Sequence, residues 1–180
     1  MSLACIGDGT AIFTKDKNLA IKMKYLCEHR QDKRYHHKYI ETSERLDTLQ
    51  AAILNVKLKY YNETLLLRKK VALIYNEALK DYFKIPFINN NCTSSYPQYY
   101  IVVKKRDAVQ EKFKKFVIPI ALHYPLALHL QEYFFYLDSK NGNFLVSEKN
   151  SSAILNLQMN SYVTNDEIKY ISEILIALKI

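Results

Sequence analysis

The sequence predicts a mixed α/β fold, on three observations. Segments rich in β-branched and aromatic residues alternate with stretches whose apolar residues recur every three or four positions. Clusters of turn-forming residues separate the two kinds of segment. The 180 residues, 49% of them hydrophobic, suffice for one compact unit with its own core and room for an appended lobe.

Taken in order, Gly7-Asp8-Gly9 reads as a tight turn entering a short strand, Thr10 to Thr14 (TAIFT). Asp16 to Cys27 reads as a helix, with Leu19, Met23 and Leu26 on one face. Glu28 to Glu41 is polar and crowded with His, Arg, Lys and Tyr, which predicts a loop. From Arg45 the apolar residues Leu46, Leu49, Ile53, Val56 and Tyr60 keep helical spacing, and Leu67, Val71, Ile74 and Ala78 resume it. This is one long helix or two consecutive ones, with a phase slip over Tyr61 to Leu66 that predicts a bend.

After Pro86 the segment INNNCTSSYP is linker-like, and Gln98 to Val103 (QYYIVV) has strand composition. A helix over Asp107 to Phe116 follows, then a second strand over Val117 to Leu122, which Pro119 confines to an edge or breaks early. Thr164 and Glu167 form a capping box, and Ile168, Ile171, Leu175 and Leu178 continue the apolar face of the helix it opens.

Composition excludes several classes of function. No run approaches the roughly 20 apolar residues of a membrane helix, and the N-terminal MSLACIGDGT lacks the regions of a signal peptide. A cytoplasmic location is the expectation. Cys5, Cys27 and Cys92 lack C-x-x-C spacing, and the five histidines lack a paired helical arrangement, so no metal site is expected. The net charge of +8 invites a nucleic-acid reading, but it follows a general bias toward Lys, Ile, Asn and Tyr, and clustering is the useful signal. Nucleic acid is therefore not the expected partner. The local run Lys33, Arg34, His36, His37 and Lys38 reads as a solvated loop or as a binder of a diphosphate or nucleic-acid backbone.

Five strings, in order and in register, carry a resemblance: GDGTAIFTKDKNLA, RLDTLQAAILNVKL, RKKVALIY with Arg68, Ala72 and Tyr75, Arg106-Asp107, and HYPLALHLQ. Together they resemble the DegT/DnrJ/StrS-type sugar aminotransferases over nearly the whole chain. The resemblance implies a fold-type-I enzyme dependent on pyridoxal phosphate (PLP), homodimeric, that moves an amino group from glutamate to a nucleotide-linked keto-sugar in polysaccharide biosynthesis. On that pattern the chain is the C-terminal part: residues 1–44 would end the large domain, 45–84 would be the linking helix or helix pair, and 85–180 the small α/β domain.

PLP transamination needs a lysine that forms the internal imine and then shuttles a proton. The family places it a few residues before the glycine turn, where this sequence has Met1 followed by Ser2, Leu3 and Ala4. Lys15 and Lys17 lie beyond the predicted strand and replace it poorly. The expectation is a truncated or remnant aminotransferase, inactive by itself, with no catalytic residue in this chain, and with PLP bound in the full-length family but not by this chain. The one cofactor-binding candidate is Ser43, at the position of the family's phosphate-contacting asparagine.

Other departures are Val117 at a usual glycine, Ala127 at a usual proline, and Asn156-Leu157-Gln158 where Ser-Leu-Pro is usual. The resemblance makes His123, Tyr124 and His129 a wall of the nucleotide-sugar cleft; the alternative is local packing around a turn set by Pro125. Arg45 and Asp47 read as an interface pair or as the polar start of a helix. Tyr60, Tyr61, Tyr99 and Tyr100 read as packing residues. An exposed apolar surface and self-association are expected. A different class, a non-catalytic binding protein that pairs with an intact aminotransferase or an anionic ligand, is the second reading.

Overall fold

The computed structural model describes residues 9–27, 31–33, 36–37 and 46–178, in two compact units, Leu3–Tyr61 and Asn62–Ile180. Ser43, Arg45, Arg34 and Lys38 lie outside the described residues.

In the first unit, helix α1 spans Lys17–Cys27. Asp16 opens it, its carboxylate accepting from the amides of Asn18 at 2.8 Å and Leu19 at 3.2 Å. The expected strand over Thr10 to Thr14 is not formed, because no described segment pairs with it, and Ile12 and Phe13 are exposed. The expected loop that follows contains a short antiparallel pair, β1 (Gln31–Lys33) with β2 (His36–His37). Ladder bonds run between backbone groups, so a polar segment can form them without an apolar alternation to reveal it. Helix α2 (Thr48–Lys59) buries none of its residues, and Leu49, Val56 and Leu58 are exposed.

Helix α3 (Tyr61–Leu79) begins after a break at Tyr60, at the start of the predicted phase slip. Its buried face is Arg68, Val71, Ala72, Tyr75 and Leu79, spaced three and four apart. In the second unit this face packs on a two-stranded antiparallel sheet, β3 (Tyr99–Val102) with β4 (Ile154–Leu157), in the register Tyr99 opposite Leu157 and Val102 opposite Ile154. Single bridges extend the sheet on both sides, Lys84 to Val102 and Ala121 to Asn156. Helix α4 (Arg106–Lys115) adds Val109 and Phe113 to the core, and α6 (Asn165–Ala177) adds Ile168, Ile171 and Leu175. The capping box at α6 is present in both directions.

Arg68 is the buried cation of this core, its guanidinium donating to the Tyr96 carbonyl at 3.0 Å. That bond ties α3 to the end of the Asn-rich connection, just before β3.

The expected strand over Val117 to Leu122 reduces to the single bridge at Ala121. The reason is the end of α4. The Ile118 amide donates to the Phe113 carbonyl at 3.0 Å and the Val117 amide to the Lys114 carbonyl at 3.1 Å, which is a Schellman turn. Ile118 and Phe113, the flanking apolar pair of such a turn, are both buried. Pro119 then has no amide to give a ladder.

The turn puts Val117 at φ 56°, left-handed space that a β-branched residue enters at a cost. Its side chain is 86% exposed, so packing does not offset that cost. Val117→Gly is expected to raise stability by about 1 kcal/mol, the relief of strain exceeding the added unfolded-state entropy. Urea denaturation at equal m-value checks it, and a loss of stability would contradict it.

Candidate functional site

After its Schellman turn the chain runs beside β4. Asn156 and Ala121 exchange backbone hydrogen bonds, the Asn156 amide donating at 3.1 Å and the Ala121 amide at 3.5 Å. The buried Asn156 side chain then continues the contact in both directions. Its Oδ1 accepts from the His123 amide at 3.1 Å, and its Nδ2 donates to Gln98 Oε1 at 3.3 Å. A position noted in the sequence only as a departure from a pattern thus sets the height of His123 above the sheet.

His123 borders two open clefts. One, of about 280 Å³, lies between His123, Tyr124 and Leu126 and the polar side of helix α5 (Leu145–Ala153), where Ser147, Asn150 and Ser151 stand. The other, of about 340 Å³, lies over Gln98, Asn156 and Gln158 with Pro119 and Met159. The His123 and Tyr124 rings meet edge to face at 5.7 Å, and Tyr124 is 75% exposed. Imidazole, phenol, hydroxyl and amide groups form a hydrogen-bonding wall suited to a polyhydroxylated ligand.

His129 is placed elsewhere, lining neither cleft. Its Nε2 lies 2.9 Å from Glu148 Oε1, and its ring packs on Phe144 at 4.7 Å. Glu148 also accepts from the amides of Gly142, at 2.9 Å to each oxygen, and Phe144 at 3.1 Å. These bonds, the Gly142 amide foremost, hold its carboxyl below the usual carboxylate range. The turn at Leu128–Leu130 is thereby tied to the start of α5. Sequence reasoning missed Glu148; the Asn-Gly turn at 141–142 followed by an acid in the first turn of a helix was the available signal.

Because its folded pKa is lowered, Glu148 contributes stability that is present above its unfolded pKa and lost as pH falls through the folded value. Urea midpoints measured from pH 6 down to pH 3 are expected to drop, and Glu148→Gln is expected to flatten that drop while lowering the plateau. An unchanged pH profile in the variant would exclude the assignment.

Ala127, buried, sits at φ −62°, the angle a proline would impose, so its backbone keeps the conformation expected at that position.

PLP requires an amine to form its imine, a carboxylate facing its ring nitrogen and a cradle of donors for its phosphate. The clefts beside His123 are lined by no lysine and no carboxylate. These residues do not fit the cofactor, and Ser43 lies outside the described residues. Among the described residues no group of His, Cys, Asp and Glu could hold a metal ion. No helix among them is long and apolar enough to cross a membrane.

A UDP-2-acetamido-2-deoxy-3-oxo-D-glucuronate aminotransferase of Pseudomonas aeruginosa is 39% identical over 94% of this chain and 46% of its own length. A dTDP-3-amino-3,6-dideoxy-alpha-D-galactopyranose transaminase of Aneurinibacillus thermoaerophilus is 30% identical over 92% of this chain and 45% of its own. The chain thus spans about half the length of the curated relatives it matches. Among solved structures, a DegT DnrJ EryC1 StrS aminotransferase from Brucella abortus superposes with a TM-score of 0.90 at 33% identity, covering 99% of this chain and 48% of that one. DesV of S. venezuelae, solved in complex with a ketimine intermediate, shares the fold at a TM-score of 0.91 and 22% identity, over 99% of this chain and 48% of its own. The mixed α/β architecture is therefore a partial aminotransferase fold. The family profile matches residues 2–176, and the chain belongs to the DegT/DnrJ/EryC1/StrS aminotransferase family.

Proposed function

We propose that this chain supplies the sugar-facing wall of a PLP-dependent nucleotide-sugar aminotransferase and does not carry the imine-forming chemistry itself. The observation that supports this most is the Asn156 clamp, which holds His123 between two open clefts within the HYP string of the family. His123 and Tyr124 would hydrogen-bond the sugar hydroxyls, and the exposed Tyr124 ring would cover an apolar ring face. His129 would act by holding the turn through Glu148 rather than by touching the ligand.

The names of the relatives support a nucleotide-linked sugar as substrate; in this reading it is a keto-sugar of polysaccharide biosynthesis, with glutamate as the amino donor. In this reading residues 1–44 end the large domain, 45–84 link and 85–180 form the small domain. The working unit is a homodimer in the cytoplasm, and the present chain is inactive by itself, binding no PLP in a specific manner.

Reduction with borohydride after mixing with PLP tests the catalytic part. No stoichiometric pyridoxyl adduct at a single lysine is expected by mass spectrometry; one trapped lysine would mean that the chemistry is carried here. A second reading, a non-catalytic partner of an intact aminotransferase, is favoured by α2, whose exposed Leu49, Val56 and Leu58 are suited to apolar pairing. A salt-insensitive association with a full-length paralogue would support it, whereas association abolished by salt would count against it.

A further inference from the structure

Three segments of the second unit converge at the Lys84 edge of the sheet. The Val102 amide donates to the Lys84 carbonyl at 3.1 Å, and the Val103 amide donates to the Ala153 carbonyl at the end of α5 at 2.9 Å. Between them opens a cleft of about 470 Å³, within the range of small-molecule sites. Lys84, Lys104 and Lys149 line it, with Tyr82, Phe83 and Val102.

No carboxylate lines this cleft. The acids near its walls are committed elsewhere: Glu148 to Gly142, Phe144 and His129, Asp107 to Arg106 at 3.1 Å, and Glu77 to Lys80 at 2.8 Å. Asp81, next in sequence to Tyr82, acts on Lys80. Lys84, Lys104 and Lys149 make no ion pair among the described residues, unlike Lys80, Lys114 and Lys169. Helix α5 ends at the cleft, and its last carbonyls would oppose an anion. Two of them are already taken, Ser151 by the Arg106 guanidinium and Ala153 by the Val103 amide. The remaining field is that of three unpaired ammonium groups.

Tyr82, 60% exposed, lines the cleft with Phe83 and Val102, so the cleft offers an aromatic ring as well as positive charge. We propose that this cleft is a second ligand site, separate from the clefts at His123, that takes a nucleoside diphosphate, with the lysines on the diphosphate and the Tyr82 ring on the base.

Isothermal titration of the full chain with UDP and, separately, with inorganic pyrophosphate tests this. Both should bind, more weakly as salt rises. The Lys84→Gln/Lys149→Gln variant should weaken both at least about tenfold, while Tyr82→Ala should weaken UDP about tenfold and leave pyrophosphate unchanged. Lys114→Gln, a surface lysine outside the cleft, should change neither, which separates this site from the overall positive charge of the chain. All four side chains are on the surface, and circular dichroism confirms folding of each variant. Absence of UDP binding at millimolar ligand, insensitivity to the Lys84 and Lys149 substitutions, or an equal loss in Lys114→Gln would overturn the proposal. Displacement of UDP by a single-stranded oligonucleotide at far lower concentration would also overturn it, in favour of nucleic acid.

Discussion

Tyr99→Ala is expected to destabilise the chain by about 3–5 kcal/mol, a large share of the roughly 5–15 kcal/mol available to a folded domain. Tyr99 has no exposed surface and stacks on Tyr75 with ring centroids 4.8 Å apart and planes 26° from parallel. Its hydroxyl donates to Asn76 Oδ1 at 2.8 Å. Truncation therefore removes a whole buried ring, leaves a cavity between α3 and β3, and strips the Asn76 oxygen of its donor. Burial pushes both tyrosine hydroxyls well above their ordinary pKa, so each stays neutral across the physiological range. Tyr99→Phe keeps the ring and loses one hydrogen bond, and is expected to cost only about 1 kcal/mol. Urea midpoints separate the two; equal losses would mean that the hydroxyl, and not the stacked ring, holds α3 on the sheet.

Asn156→Leu is expected to cost about 1–3 kcal/mol, because it leaves the His123 amide without its acceptor while filling a similar volume. Both atoms of the Asn156 amide group are used, one toward His123 and the other toward Gln98. Removing them should release the His123 turn from the sheet edge. Amide hydrogen exchange at His123 is the sensitive readout, and it is expected to accelerate in Asn156→Leu but not in Gln98→Leu, which spares the His123 bond. If both variants exchanged alike, the clamp would lie elsewhere and the sugar-facing wall would lose its support. In a complete aminotransferase the same substitution should raise KM for the nucleotide sugar.

Helical elements were legible where an apolar face and a local end signal coincide. The Thr164 and Glu167 box announced α6, and the spacing of Ile168, Ile171 and Leu175 named its buried side. For α3 the spacing pointed to Leu67, Val71, Ile74 and Ala78, whereas the buried face is Arg68, Val71, Ala72, Tyr75 and Leu79, displaced by one position at all but Val71. Val117, read as the start of a strand and as a residue at a usual glycine, instead takes the left-handed position of the turn that ends α4. Helix α5 was missed because it combines serines and asparagine with little apolar period, and its start depends on Glu148 reaching back to Gly142.

Strands were legible only when their own composition sufficed. Tyr99 to Val102 was found, whereas Ile154 to Leu157 was noted only as a departure from a pattern, and Thr10 to Thr14 looked like a strand but has no partner among the described residues. Residue order alone determined the family and the inner face of α6, since each depends on neighbours within a few positions or on the ordered motifs. Only the tertiary structure decided that Asn156 holds His123, that Glu148 holds His129, and that Lys84, Lys104 and Lys149 share one cleft. Those contacts join residues 19 to 65 positions apart, and a hydrogen bond or a shared field depends on distance in space, which no local periodicity encodes.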